Sequence, residues 1–225
     1  MNVTRAIQVS CNYFFFEVGR LLAIDNMNKY DLAFGLGAPT GIELAEKTGI
    51  LAGPQYRIDN DLGPWNPGDT IQASIGQSDN LFTPLQISTY IATILNNGTR
   101  LNDHILYKVV EFGTQRTVYQ THPTTASKIE LGEGVRDILM DAMKNVLEDD
   151  GSASNVFKDF PMDIGAKTGT AQTTAKQSDN AIFTAFAPYD NPQIVATCII
   201  EKGASGTQAG WSVKDVFSYY FGLTR

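Results

Sequence analysis

The sharpest chemical feature of the chain is the octapeptide Gly165-Ala166-Lys167-Thr168-Gly169-Thr170-Ala171-Gln172. On an extended strand alternate side chains share a face, so Thr168 and Thr170 can present two hydroxyls together to a carboxylate. Gly169 between them removes a side chain that would hold a substrate backbone off the strand. Lys167 adds a positive charge beside them. A Lys-Thr-Gly triplet arises by chance in roughly one chain in twenty of this length, so the octapeptide needs partners before it defines a site. A second polar triplet, Ser-x-Asn, occurs three times: Ser10-Cys11-Asn12, Ser78-Asp79-Asn80 and Ser178-Asp179-Asn180. Roughly half a match or more is expected by chance, so its neighbours must choose among the three. Ser78–Asn80 precedes a helix start and reads as turn and capping chemistry. Ser178–Asn180 lies between two strands and reads as a loop. Only Ser10–Asn12 runs directly into an aromatic-rich helix that would fix its backbone against a core and aim its polar groups outward.

The elements that must position these residues follow from periodicity and punctuation. Residues 2–8 read as the end of an interrupted helix, and 13–24 as a helix. Asp25 is a candidate cap for a further helix over 26–34. A Gly- and Pro-rich irregular stretch spans 35–69. Thr83 as N-cap, Pro84 in the first helical position and Asn97-Gly98 as a stop predict a strong helix. Alternation around Gly113 predicts a hairpin within 105–120. A helix is expected over 135–147, with Val135, Ile138, Leu139, Met143, Val146 and Leu147 on its apolar face. Strands are expected at 164–171, 181–187 and 194–201, the last two joined by the turn 188–192, followed by a closing helix at 209–221. Helices followed by an antiparallel set under a terminal helix make an α+β fold.

Composition bounds the possibilities. With 225 residues, 43% hydrophobic and 18% charged, the chain can bury a real core. Its net charge of −7 argues against duplex nucleic acid as a partner. Cys11 and Cys198 form no disulfide framework, His104 and His122 lie near neither, and nothing in the pattern calls for a metal or another cofactor. No apolar run approaches the ~18 residues of a membrane helix.

Taken together and in order, several segments resemble class B penicillin-binding proteins. They are Ser10-Cys11-Asn12-Tyr13-Phe14-Phe15, Phe34-Gly35-Leu36-Gly37, Thr40-Gly41-Ile42-Glu43-Leu44, Ile75-Gly76-Gln77, Thr83-Pro84-Leu85-Gln86, Asn96-Asn97-Gly98-Thr99, Gly165–Gln172 and Phe186-Ala187-Pro188 with Asn191-Pro192. The resemblance implies the transpeptidase fold, a five-stranded antiparallel sheet flanked by helices, and cross-linking of peptidoglycan stem peptides through a serine acyl-enzyme that β-lactams also form. It implies that Ser10 relays or holds a proton, Asn12 bonds the substrate amide and Lys167 orients the site. It implies, too, that Thr168 and Thr170 bind a terminal carboxylate along Gly169, with the Thr170 N–H in an oxyanion hole. Cell-wall synthesis proteins would be partners, at the extracytoplasmic face of a bacterial membrane to which a segment not in this sequence anchors the parent.

One departure is large. The family's nucleophile lies in a Ser-x-x-Lys motif, and no serine in the chain has a lysine three residues on. Thr125–Lys128 and Thr173–Lys176 keep only the spacing. The expectation is therefore the C-terminal part of a single transpeptidase domain over residues 1–225, truncated at its N-terminus, inactive alone, lacking a buried helix and two strands, and exposing apolar surface. The rivals are a serine β-lactamase or β-lactam sensor of the same fold, and a non-catalytic binding module.

Overall fold

The computed structural model describes residues 1–173 and 178–223. A short helix α1 (Val3–Gln8) leads through Ser10 into α2 (Asn12–Ala33). Two separate helices with Asp25 as cap were expected here; instead one 22-residue element bends at Ala23, whose φ of 64° and ψ of 160° are non-helical. The bend turns the second arm so that Ile24 and Met27 pack against Ala52 and Ala73. Burying those side chains outweighs the strain of one left-handed alanine.

The stretch 35–69 is not wholly irregular. It holds α3 (Pro54–Asp59) and the start of α4 (Pro67–Ala73), each with proline in its first turn. At the start of α4 the Asp69 carboxylate accepts from the Asn66 N–H at 2.8 Å, the acidic half of a capping box. Arg57 then ties the segment together, meeting Asp69 at 2.9 Å and Asp79 at 2.7 Å with its guanidinium over the Trp65 ring.

Helix α5 (Pro84–Leu95) starts as expected at Thr83, whose hydroxyl accepts from the Gln86 N–H while the Gln86 side chain accepts from the Thr83 N–H. The Gln86 amide also donates to the carbonyls of Ala38 and Thr48, both at 2.8 Å, stitching the preceding loop to the helix. Two small ribbons follow. β1 (Thr99–Leu101) pairs with β4 (Thr125–Lys128), which had not been anticipated. β2 (Lys108–Val110) pairs with β3 (Thr117–Gln120) in the expected hairpin.

Helix α6 (Val135–Asn145) buries Met140, Ala142 and Met143, whereas Val135 and Ile138, placed by periodicity on the apolar face, are exposed. The main sheet is antiparallel, β5 (Gly165–Ala171), β6 (Asn180–Ala187) and β7 (Ile194–Ile200) in that order, so among the described residues β5 and β7 are its outer strands. The closing helix α7 (Gly206–Tyr220) lies on one face. Its Ala209, Val213 and Phe217, spaced by four, meet Phe183, Ala185 and Ala166 in the largest core. On the other face Phe186 joins Ile91, Ile94, Met140 and Met143 of α5 and α6. The strand β6 is covered on both sides, which is why Asn180–Ala187 reads almost continuously apolar. The expected α+β class, a helix-flanked antiparallel sheet, is borne out.

Candidate active site

Ser10 occupies a turn whose geometry the backbone sets. The Cys11 N–H reaches back to the Ala6 carbonyl at 2.8 Å and the Ser10 N–H to Ile7 at 3.2 Å, closing α1 with a Schellman-type turn. That motif needs a left-handed residue, usually glycine, and Ser10 fills it at φ 52°. A non-glycine there is strained and persists where surrounding contacts hold it. The contact that does so comes from across the chain: Lys167 Nζ donates to Ser10 Oγ at 2.5 Å, bridging 157 positions of sequence. Lys167 donates also to its neighbour's carbonyl, Thr168 O, at 2.7 Å.

Burial alone pushes the Lys167 amine down to about 8 from an ordinary 10.5. Among the described residues no carboxylate forms an ion pair with it. An amine so placed, bonded to a hydroxyl and poised near neutrality, can pass a proton through that hydroxyl.

Around it β5 is an edge strand. Thr168 and Thr170 do share a face, their cross-strand partners being Phe183 and Ala181. Both hydroxyls are already in contact with protein: Thr168 shares a hydrogen bond with Ser152 Oγ at 3.1 Å, and Thr170 Oγ accepts from the Gly206 N–H at 3.4 Å. The latter brings the first turn of α7 onto the strand. A Cβ on Gly206 would lie 2.5 Å from the Gly169 carbonyl, so only glycine permits that approach. Gly169 faces Ile182, where an added Cβ would sit 3.3 Å from its nearest neighbour. Asn12 opens α2 and is exposed, its amide unbonded to any described residue.

A family model described as the penicillin binding protein transpeptidase domain matches residues 1–218. The chain belongs to that family. It is 31% identical over 235 residues to the peptidoglycan D,D-transpeptidase MrdA of Escherichia coli K12, covering 97% of this chain and 37% of that protein. The chain thus spans little more than a third of that curated relative's length. In structure it resembles Pseudomonas aeruginosa PBP2 in complex with WCK 5153, with a TM-score of 0.84 and 27% identity over 98% of this chain and 49% of the other. It resembles also the PBP2 of Helicobacter pylori in its complex with MreC, at 0.81 and 26%, over 100% of this chain and 41% of that one.

Within this transpeptidase domain the three Ser-x-Asn triplets separate cleanly. Asn80 ties loops together, accepting from the Ala52 N–H and donating to the Ala73 carbonyl, while Asp79 serves Arg57. Asn180 accepts from the Lys202 N–H at the head of β6. Neither triplet makes a hydrogen bond to Lys167; Ser10 does. Of the two lysine-spaced threonines, Thr125 lies in β4, and the other set reaches Thr174–Lys176, outside the described residues. Sequence reasoning did not find Ser152, Gly206, Gln8 or Asp150. Ser152 and Asp150 sit in a post-helix loop with no periodic signal, and Gly206 precedes the point where the helical pattern became readable.

Proposed function

We propose that this chain is the portion of a peptidoglycan D,D-transpeptidase domain that carries the Ser-x-Asn turn and the substrate strand, the nucleophilic serine and its lysine coming from an upstream segment of the parent protein. The observation that carries the reading is the 2.5 Å contact of Lys167 with Ser10, which joins the two family motifs through one hydrogen bond. A stem peptide ending in D-alanyl-D-alanine would lie along the open edge of β5. Its carboxylate would be met by Thr168 and Thr170, its amide by Asn12, and its scissile carbonyl oxygen by the Thr170 N–H. One such donor is worth roughly 3 kcal/mol to the transition state of acyl transfer.

The serine oxygen would form the acyl bond as the C–N bond to the terminal D-alanine breaks. Ser10 and Lys167 would hand a proton to the departing amine. The amine of a second stem peptide would then resolve the ester, and a β-lactam would stop at the ester stage. Lys167, depressed to about 8, suits proton transfer near neutral pH better than an ordinary lysine does.

Exposed apolar side chains support an incomplete domain. Tyr13 and Leu21 on α2 and Trp211 and Tyr219 on α7 are exposed, and among the described residues β7 has one unpaired edge. Other cell-wall synthesis proteins are proposed partners, in keeping with the MreC complex of the Helicobacter pylori relative. The parent would act at the extracytoplasmic membrane face through an anchor elsewhere in its sequence; among the described residues no helix is long and apolar enough to cross a membrane.

The test is covalent labelling by a fluorescent penicillin, with the chain alone and with the chain joined to its natural upstream sequence. A band on a denaturing gel only for the joined form supports the reading. Labelling of the chain alone places a nucleophile within these 225 residues and overturns the assignment. Rapid turnover of a chromogenic β-lactam by the joined form would make it a hydrolase instead.

A further inference from the structure

Ser10 stands between two helices in a strained link, so its distance from Lys167 depends on what holds α1. That helix has only six residues, too few to be stable by itself. Its apolar side is fixed by Ala6, wholly buried, and by Ile7 against the main core. Its polar side is gripped by the loop that follows α6. Asp150 accepts from Gln8 Nε2 through one carboxylate oxygen and from Arg5 Nη1 through the other, each at 2.5 Å. Two residues on, the Ser152 N–H donates to the Gln8 carbonyl at 3.2 Å. The same Ser152 shares its hydroxyl with Thr168, next to Lys167 on β5. One three-residue loop therefore touches the last turn of α1 and the substrate strand, the two elements whose side chains form the Ser10–Lys167 contact.

We propose that Asp150 is a positioning residue, which by clasping Gln8 and Arg5 holds α1, and so Ser10, within hydrogen-bonding reach of Lys167. The proposal rests on the transpeptidase reading for its catalytic meaning. Asp150 and Arg5 are 65% and 44% exposed in their side chains, and ion pairs at that exposure add little to global stability. Gln8, in contrast, is buried, and its amide meets the carboxylate as a charge-assisted bond with defined geometry. The clasp thus acts on local placement more than on folding, and a misplacement below an ångström is enough to slow acyl transfer.

Two readouts test it. In the protein joined to its upstream sequence, Asp150→Ala is expected to slow acylation by fluorescent penicillin about tenfold with the melting temperature nearly unchanged. Asp150→Asn, which keeps an oxygen for Gln8, is expected to recover most of that rate. In the 225-residue chain, lysine-labelled NMR of Asp150→Ala is expected to show Lys167 titrating closer to an ordinary lysine, as loosening of α1 lets water reach it. An Asp150→Ala protein with wild-type acylation and wild-type Lys167 titration overturns the proposal. So does a rate loss matched by a loss of melting temperature that Asp150→Asn fails to restore, since that marks a purely structural residue. Should the unmutated joined protein take up no penicillin, the transpeptidase reading falls, and the Lys167 titration alone decides the clasp either way.

Discussion

Replacing Lys167 by methionine, of similar length and uncharged, isolates what burial does to the amine. Its protonation equilibrium lies at about 8 in the folded chain against 10.5 for a free lysine. At about 1.4 kcal/mol per unit, that gap corresponds to roughly 3 kcal/mol of cost for keeping the charged amine in its site. Below pH 8 both folded and unfolded chains are protonated there, and the cost is fully present. Between pH 8 and 10.5 the folded chain releases a proton that the unfolded chain retains, so stability gains with rising pH; above 10.5 the gain is complete. Urea unfolding of wild type and Lys167→Met across pH 7–11 measures this as a difference. Wild type is expected to gain roughly 3 kcal/mol on the variant through the window. Tyr189, held up at about 12 by its bond to Asp141, also titrates at the alkaline end, but in both proteins, and cancels. A gap between the two proteins that stays constant with pH would refute the claim that Lys167 is desolvated, and with it the argument for a proton-passing amine beside Ser10.

Other perturbations follow from the packing. Gly165→Ala would place a methyl 2.2 Å from the ring of fully buried Phe186 and should cost ~1–3 kcal/mol by overpacking, read in a thermal melt. Gln86→Ala strands the carbonyls of Ala38 and Thr48 and removes half of the cap on α5; a loss of roughly 2–4 kcal/mol is expected in urea unfolding, with faster hydrogen exchange over 35–50. The Asp31 carboxyl is lifted to about 6 by burial, so its contribution to stability is fully present below 3.8 and lost as pH rises through 6. Asp31→Asn should therefore gain on wild type by roughly 2–3 kcal/mol between pH 4 and pH 7 in the same assay.

Much of the fold was legible where local chemistry and tertiary demand agree. Thr83-Pro84 and Asn97-Gly98 announce α5 because cap, first-turn proline and stop are all local. The three strands of the main sheet were legible because each is bounded by turn residues, and β6 is apolar apart from Asn180 and Thr184 because both its faces are covered. The failures lie where distant contacts decide. Nothing near Ala23 says that α2 must bend there; the bend exists to bring Ile24 to Ala52 and Ala73. The face of α6 was rotated in the reading because Val135 and Ile138 fit the helical period yet lie exposed, while Ala142, weak as an apolar signal, is wholly buried. In the site, Lys167, Thr168, Gly169 and Thr170 stand out by type and spacing, and Ser10 was chosen from three triplets by the helix it precedes. Ser152, which touches Thr168, and Asp150, which clasps Arg5 and Gln8 of α1, are ordinary polar residues in a loop and acquire meaning only from what folds against them.

The two outer strands of the sheet carry different hazards. An open edge offers a row of unpaired N–H and C=O groups to any extended chain that meets it. Along β5 that row is interrupted by a lysine and a glycine. Along β7 it runs beside Ile194-Val195-Ala196-Thr197-Cys198-Ile199-Ile200, seven residues with no charge, no proline and strong β preference. Left uncovered, this is a template for its own kind, and strands from separate molecules can zip there as readily as a strand of the same domain. If the isolated chain clouds or gathers into larger species, the place to expect it is this margin, two strands away from Lys167.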